Sequence, residues 1–215
     1  GAKRQVRSVT SNPGHVLMSG MISGERARMV VDRLLSPDMF SGYGIRTMSM
    51  SSAGYNPMSY HDGSVWPHDN SLAVLGMKTS GFGEEAVRVM EGLVEAAGHY
   101  EYDRLPELFC GYDRSIGYPV SYPVACSPQA WAAGTPLLFL QVMLGLKPDA
   151  VERTIELDPV LLAGMNEMTV ERLRVGQGTL SLQLRREKGA SAPRIEILQN
   201  TTGFEIRLPR VVERR

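Results

Sequence analysis

Between residues 14 and 146 the apolar positions fall into five helical segments of two kinds, which alternate. Gly14–Ser23 is short and largely apolar (Val16, Leu17, Met18, Met21, Ile22), and Ser11, or Asn12 ahead of Pro13, can start a helix there. Gly24–Leu35 is amphipathic, with Ala27, Val30, Val31 and Leu34 on one face and Glu25, Arg28 and Asp32 on another. Asp69–Ser80 is mostly apolar. In Glu84–Ala97 the charged Glu84, Arg88, Glu91 and Glu95 oppose Ala86, Met90, Leu93 and Ala97. Pro128–Leu146 is apolar on every side, through Trp131, Leu137, Leu138, Phe139, Leu140, Val142, Met143 and Leu144.

An all-round apolar helix is expected inside and an amphipathic one outside. The connections alternate as well. Apolar-to-amphipathic joins are short, around Ser23-Gly24 and Gly81-Phe82-Gly83. Amphipathic-to-apolar joins are long: Ser36–His68 and Gly98–Ser127, rich in Gly, Ser, Pro and Tyr. This order predicts stacked helical hairpins, inner helices ringed by outer ones, with both long loops on one rim. Loops of that length in a compact domain are usually functional. Two and a half hairpins do not close a ring, so the helices are expected to complete a larger barrel or to pair with a second copy.

After Lys147 the period drops to two. Leu180, Leu182 and Leu184 alternate with Ser181, Gln183 and Arg185; Ile195 and Ile197 flank Glu196; Phe204, Ile206 and Leu208 alternate with Glu205 and Arg207. This predicts a half-buried antiparallel sheet with a turn at Asn200-Thr201-Thr202-Gly203 between its last two strands. The expected domains are a helical part, residues 1–147, and a small antiparallel β-module, residues 148–215.

Composition narrows the function classes. Lys and Arg balance Asp and Glu at 23 each in 215 residues, and no basic stripe is present, so neither nucleic acid nor another polyanion is an expected partner. The longest apolar run, Pro136–Leu146, is broken by Gln141 and is too short to span a membrane. Lys3, Arg4 and Arg7 have no apolar stretch behind them, so no signal peptide is read in these residues. Cys110 and Cys126 make no CxxC and no disulfide framework; reduced thiols in a cytoplasmic protein are expected, without structural zinc and without a cofactor.

The densest chemistry is Tyr60-His61-Asp62-Gly63-Ser64-Val65-Trp66-Pro67-His68-Asp69-Asn70. It suits a wet polar pocket with a flat apolar wall. A sugar's C–H face stacks on an indole while its hydroxyls take polar partners. The same residues also have structural uses: Asp69 or Asn70 can cap the following helix, and Asp62 can close an Asx-turn. His61 and His68 stand seven apart on a loop with nothing else to mark a metal site.

Ser41-Gly42-Tyr43-Gly44-Ile45-Arg46-Thr47, Asn56 through Asn70, and Leu105-Pro106-Glu107-Leu108-Phe109 together resemble the C-terminal part of glycogen-debranching-like glycosidases. These are the amylo-α-1,6-glucosidase and mannosylglycerate-hydrolase-like proteins, built on an (α/α)6 toroid. The resemblance covers roughly residues 10–146 and implies a mainly α fold, a partial (α/α)6 toroid followed by the β-module. It implies hydrolysis of an α-glucosidic bond with inversion, in an α-glucan or a small α-glucoside. In that reaction one carboxyl protonates the leaving oxygen and another activates water on the opposite face. The match sets Glu107 at the base. An apolar wall from Leu108-Phe109 would raise its pKa by desolvation. Tyr43, Arg46, Tyr60, His61, Gly63, Trp66, His68 and Asp69 would form the sugar subsite, although Arg46 could instead tie its loop to a carboxylate. Trp131 belongs by default to the core, or else to the pocket floor.

The family's acid, an Asp in a Trp-x-Asp-Ser stretch, has no counterpart in residues 1–40, where Asp32 and Asp38 lie in the wrong context. The chain is therefore expected to supply base and sugar-binding loops, to be inactive alone, and to need the remaining N-terminal part of the toroid or a second copy. The alternative is a non-catalytic glycan- or subunit-binding remnant. A toroid of the isoprenoid or lanthionine type would need zinc ligands or acidic metal clusters, and neither is seen.

Overall fold

The computed structural model describes residues 2–4, 6–190 and 192–208. Helix makes up 32% of the chain and strand about 20%, so the expectation of a mainly α toroid fails. The described residues hold five α-helices and two three-stranded sheets. The chain divides into two compact units, Gly1–Phe139 and Leu140–Arg215.

In the first unit α1 (Pro13–Met18) and α4 (Gly83–Ala97) both pack on α3 (Pro67–Thr79), and α2 (Gly24–Leu34) packs on α1. Small residues let α1 and α3 approach. A Cβ on Gly76 would lie 2.5 Å from the Met18 nitrogen, and one on Gly14 would lie 2.7 Å from the Ala73 Cβ. The amphipathic helices bury the faces their period assigns: Ala27, Val31 and Leu34 on α2, and Ala86, Met90 and Leu93 on α4.

The stretch from residue 36 to 66 is not a free loop. Phe40 bridges Ile45, Arg46 bridges Val65, Val65 bridges Phe109 and Phe109 bridges Ser121, so the two long connections form a narrow ladder. Val65 N–H donates to the Phe109 carbonyl at 2.9 Å and Phe109 N–H donates back at 3.0 Å. These pairings take the chain that a toroid would put into bare rim loops and give its backbone polar groups partners in the interior.

Neither Asp69 nor Asn70 caps α3. Trp66 occupies the N-cap position with extended backbone and no side-chain cap, and Pro67 opens the helix. Asn70 is fully buried and does other work. Its Oδ1 accepts from Ile45 N–H at 2.6 Å, and its Nδ2 donates to the carbonyls of Ile45 at 3.0 Å and Trp66 at 2.9 Å. Asn70→Ala would strand both polar groups of Ile45 inside the protein. The expected loss is on the order of 3 kcal/mol, seen as a Tm drop of roughly 6–12 °C by calorimetry.

Helix α5 (Ala130–Leu144) also departs from expectation. It buries Ala132, Thr135, Phe139 and Val142 but exposes Trp131, Leu137 and Leu140. All-round apolarity there does not mean all-round burial.

The second unit holds β1 (Lys147–Asp149), β2 (Thr154–Glu156), β3 (Glu167–Val175), β4 (Gly178–Arg185), β5 (Arg194–Asn200) and β6 (Glu205–Arg207). One sheet has the order β3-β4-β5, all antiparallel, with Leu180, Leu182 and Leu184 of β4 buried. The other has the order β1-β2-β6, and its β2–β6 pair is parallel. The last two strands therefore lie in different sheets, and the turn between them does not close a hairpin as expected.

Candidate functional site

The stretch from Tyr60 to Asn70 is held from behind by glycines. Gly63 N–H donates to Thr47 Oγ1 at 2.9 Å. A Cβ built on Gly111 would stand 1.7 Å from the Gly63 carbonyl oxygen, so the two backbones touch. Gly63 thus serves close packing, with no side chain to offer a ligand.

From this frame four aromatic rings project. Trp66 and His61 stack, with centroids 5.9 Å apart and 7° between planes. The edge of Tyr60 meets both, at 4.8 Å and 4.6 Å. Trp66 Nε1–H is spent on the Tyr60 carbonyl and Ser64 Oγ, each at 3.0 Å, which fixes the indole. His68 lies against Trp131, centroids 4.5 Å apart.

A cavity of about 410 Å³ is lined by both pairs, Trp66 with His61 and His68 with Trp131. Asp62, Asp69, Asn12 and Thr10 also reach it. Asp69, in the first turn of α3, accepts a 2.6 Å bond through Oδ1 from His15 Nε2 on α1. Its Oδ2 is buried and has no hydrogen-bond partner among the described residues. The bond to Asp69 raises the pKa of His15, and burial lowers that of His68. A raised His pKa favours the folded state at low pH and loses that contribution as pH rises through it. His15 should therefore titrate above 6.5 by NMR, and Asp69→Asn should bring it back toward that value.

Glu107 follows Leu105 and Pro106 on the second long connection. Its Oε1 accepts from the Tyr60 hydroxyl at 2.7 Å and its Oε2 from Cys126 N–H at 3.1 Å. The Tyr60 bond first, then the Cys126 N–H, lower its pKa. The desolvated, raised carboxyl expected from Leu108-Phe109 is thus corrected: both side chains are buried in the core, and the two donors dominate. The same bond pushes the Tyr60 phenol up to about 12. Glu107 does not line the 410 Å³ cavity; Tyr60 links it to the cavity's Trp66–His61 wall. A lowered carboxyl pKa stabilises the fold above the ordinary value of 4.5 and loses that contribution as pH falls through the lowered one. Tyr60→Phe should move the Glu107 midpoint, followed by carbon NMR, upward toward 4.5.

Two predicted subsite residues lie elsewhere. Arg46 is fully buried; its Nε donates to the Gly111 carbonyl at 2.6 Å and its Nη1 to the Pro37 carbonyl at 3.2 Å, while Nη2 lies 3.7 Å from Asp113. It ties three segments together and meets no solute. Tyr43 is also buried, its ring edge-on to His99 at 6.1 Å. Conversely, His15, Asn12 and the Cys126 N–H join the site without having been singled out for it, and Trp131, for which core was the default, lines the cavity. Among the described residues no cluster of three His, Cys, Asp or Glu side chains is arranged to hold a metal ion.

The sequence pattern of the mannosylglycerate hydrolase MGH1-like glycoside hydrolase domain matches residues 4–114, half of the chain. The chain belongs to this family. The part matched by the MGH1-like pattern contains α1 to α4, the Trp66–His61 wall and Glu107, and ends before Trp131. A crystal structure of an uncharacterized conserved protein from Thermus thermophilus has a similar fold, with a TM-score of 0.50 and 17% identity. The similarity covers 64% of this MGH1-like chain and 32% of that one, so the chain spans about a third of that protein's length. No curated protein matches the chain.

Proposed function

We propose that this chain carries the base and the sugar-binding wall of an inverting α-glycosidase acting on α-glucosides. One observation carries the reading: an ionised carboxylate, Glu107, is fixed by the hydroxyl of the same tyrosine whose ring abuts the Trp66–His61 wall of a cavity. Membership in a glycoside hydrolase family supports it.

A base that takes a proton from water must be unprotonated at the working pH, and the two donors on Glu107 keep it so. Tyr60 and the Cys126 N–H act as positioning groups. Trp66 supports the apolar face of the sugar, and the exposed Asp62 in the cavity lining accepts from a hydroxyl. In the step, the water oxygen bonds to the anomeric carbon, the bond to the leaving oxygen breaks, and the water proton passes to Glu107. The acid that protonates the leaving oxygen comes from a segment outside these residues.

An α-glucosyl fluoride isolates the base half of this chemistry, because fluoride leaves without being protonated. Fluoride release from α-D-glucosyl fluoride, measured with an electrode, is expected to exceed the uncatalysed rate. Release only from α-D-mannosyl fluoride would overturn the choice of sugar. Release from neither, with glucoside binding retained, would leave a glycan-binding module.

A further inference from the structure

Two indoles line the cavity, and the sugar-binding reading uses one of them, Trp66. The other is Trp131. Its residue is 60% exposed, a high value for an indole. It has partners nonetheless: Gln129 Oε1 accepts from Ala132 N–H at 2.9 Å at the start of α5, and the His68 ring lies against the indole with centroids 4.5 Å apart. The fixed charges of the cavity lining are acidic. Among the described residues that line it, the carboxylates are Asp62 and Asp69, and none is Lys or Arg. An anionic leaving group would meet the exposed Asp62 with no Lys or Arg in the lining to offset it, while Asp69 is already paired with His15. An uncharged pyranose ring would find an indole for its C–H face and acceptors for its hydroxyls.

We propose that Trp131, backed by His68, is the platform for the leaving group, and that it selects an uncharged second sugar ring over an acidic aglycone such as glycerate. This rests on the sugar-binding reading of Trp66 and extends it to the other side of the scissile bond.

The chain contains two tryptophans, so protein labelled with 5-fluorotryptophan gives two fluorine resonances. Trp66→Phe and Trp131→Phe assign them. Methyl α-glucoside should shift the Trp66 resonance alone. Maltose should shift both and bind about threefold to tenfold more tightly than methyl α-glucoside, the range one aromatic contact supplies. That advantage should vanish in Trp131→Ala and persist in Trp131→Phe. Glucosylglycerate should bind no more tightly than methyl α-glucoside.

Maltose shifting Trp66 but not Trp131, or glucosylglycerate outbinding maltose, overturns the leaving-group assignment and leaves the sugar site standing. So does a Trp131 resonance that moves on protein dilution alone, which would mean that a second copy covers this face along with the exposed Leu137. A Trp66 resonance unmoved by every sugar overturns the site itself and this inference with it.

Discussion

Gly111→Ala is expected to prevent the first unit from folding. The added Cβ would lie 1.7 Å from the Gly63 carbonyl oxygen and 2.8 Å from its carbon. Both are backbone atoms, so no rotamer change relieves the contact. The segment cannot simply slide away either. Gly111 N–H donates to the Pro57 carbonyl at 2.9 Å, and the Gly111 carbonyl accepts from Arg46 Nε at 2.6 Å and the Tyr55 hydroxyl at 3.1 Å. Separating the two backbones would leave the buried Arg46 with another donor unpaired. Overpacking a flexible core costs about 1–3 kcal/mol. A backbone collision joined to a broken buried network belongs with the rare losses above about 4–5 kcal/mol, which rival the whole stability of a domain. Calorimetry should show the cooperative transition lost or lowered by more than about 10 °C. A variant melting within a few degrees of wild type would mean that the Gly63–Gly111 contact is looser than described.

The largest functional effect is expected at Glu107. With α-glucosyl fluoride as substrate, Glu107→Gln should slow fluoride release about 10²- to 10⁴-fold, the usual contribution of a positioned general base. The amide is nearly isosteric and can still accept from Tyr60 through its oxygen. It cannot take a proton from water, and its NH₂ would face the Cys126 N–H donor. Circular dichroism should therefore change little while the rate collapses. In the wild type the low-pH limb of the rate should fall below the ordinary carboxylate range, because both donors lower the Glu107 pKa. An unchanged rate in Glu107→Gln would remove Glu107 from the chemistry.

Much of the helical layout was legible because burial follows the period of 3.6. The buried faces of α2 and α4 fall where Ala27, Val31, Leu34, Ala86, Met90 and Leu93 recur. The same reasoning failed on α5, since hydropathy says that Trp131 and Leu137 are apolar and not whether anything covers them. The three-residue strands β1, β2 and β6 are too short to carry a period, and the parallel partners Ile155 and Ile206 are far apart in the chain. The mainly α expectation failed with them. At the site, the motif around Trp66 stood out by its crowding of rings. What each residue touches did not. In a Gly- and Ser-rich loop, Arg46 and Tyr43 read the same whether they face a ligand or the interior. Arg46 turns inward because its partners are backbone carbonyls, which no side-chain pattern reveals. His15 pairs with Asp69 across 54 residues, equally out of reach of a local pattern. Glu107 was singled out by resemblance, but its electrostatics were misjudged because the Tyr60 donor lies 47 residues away.

The most direct test of the proposed chemistry is the anomer that forms first. Proton NMR can follow the anomeric signal while the chain turns over α-D-glucosyl fluoride, before mutarotation mixes the products. Attack by a water that Glu107 deprotonates, opposite the departing fluoride, should give β-glucose first, and this signal should be absent with Glu107→Gln. If α-glucose forms first, or if β-glucose forms equally fast in the variant, Glu107 is not the base of an inverting site.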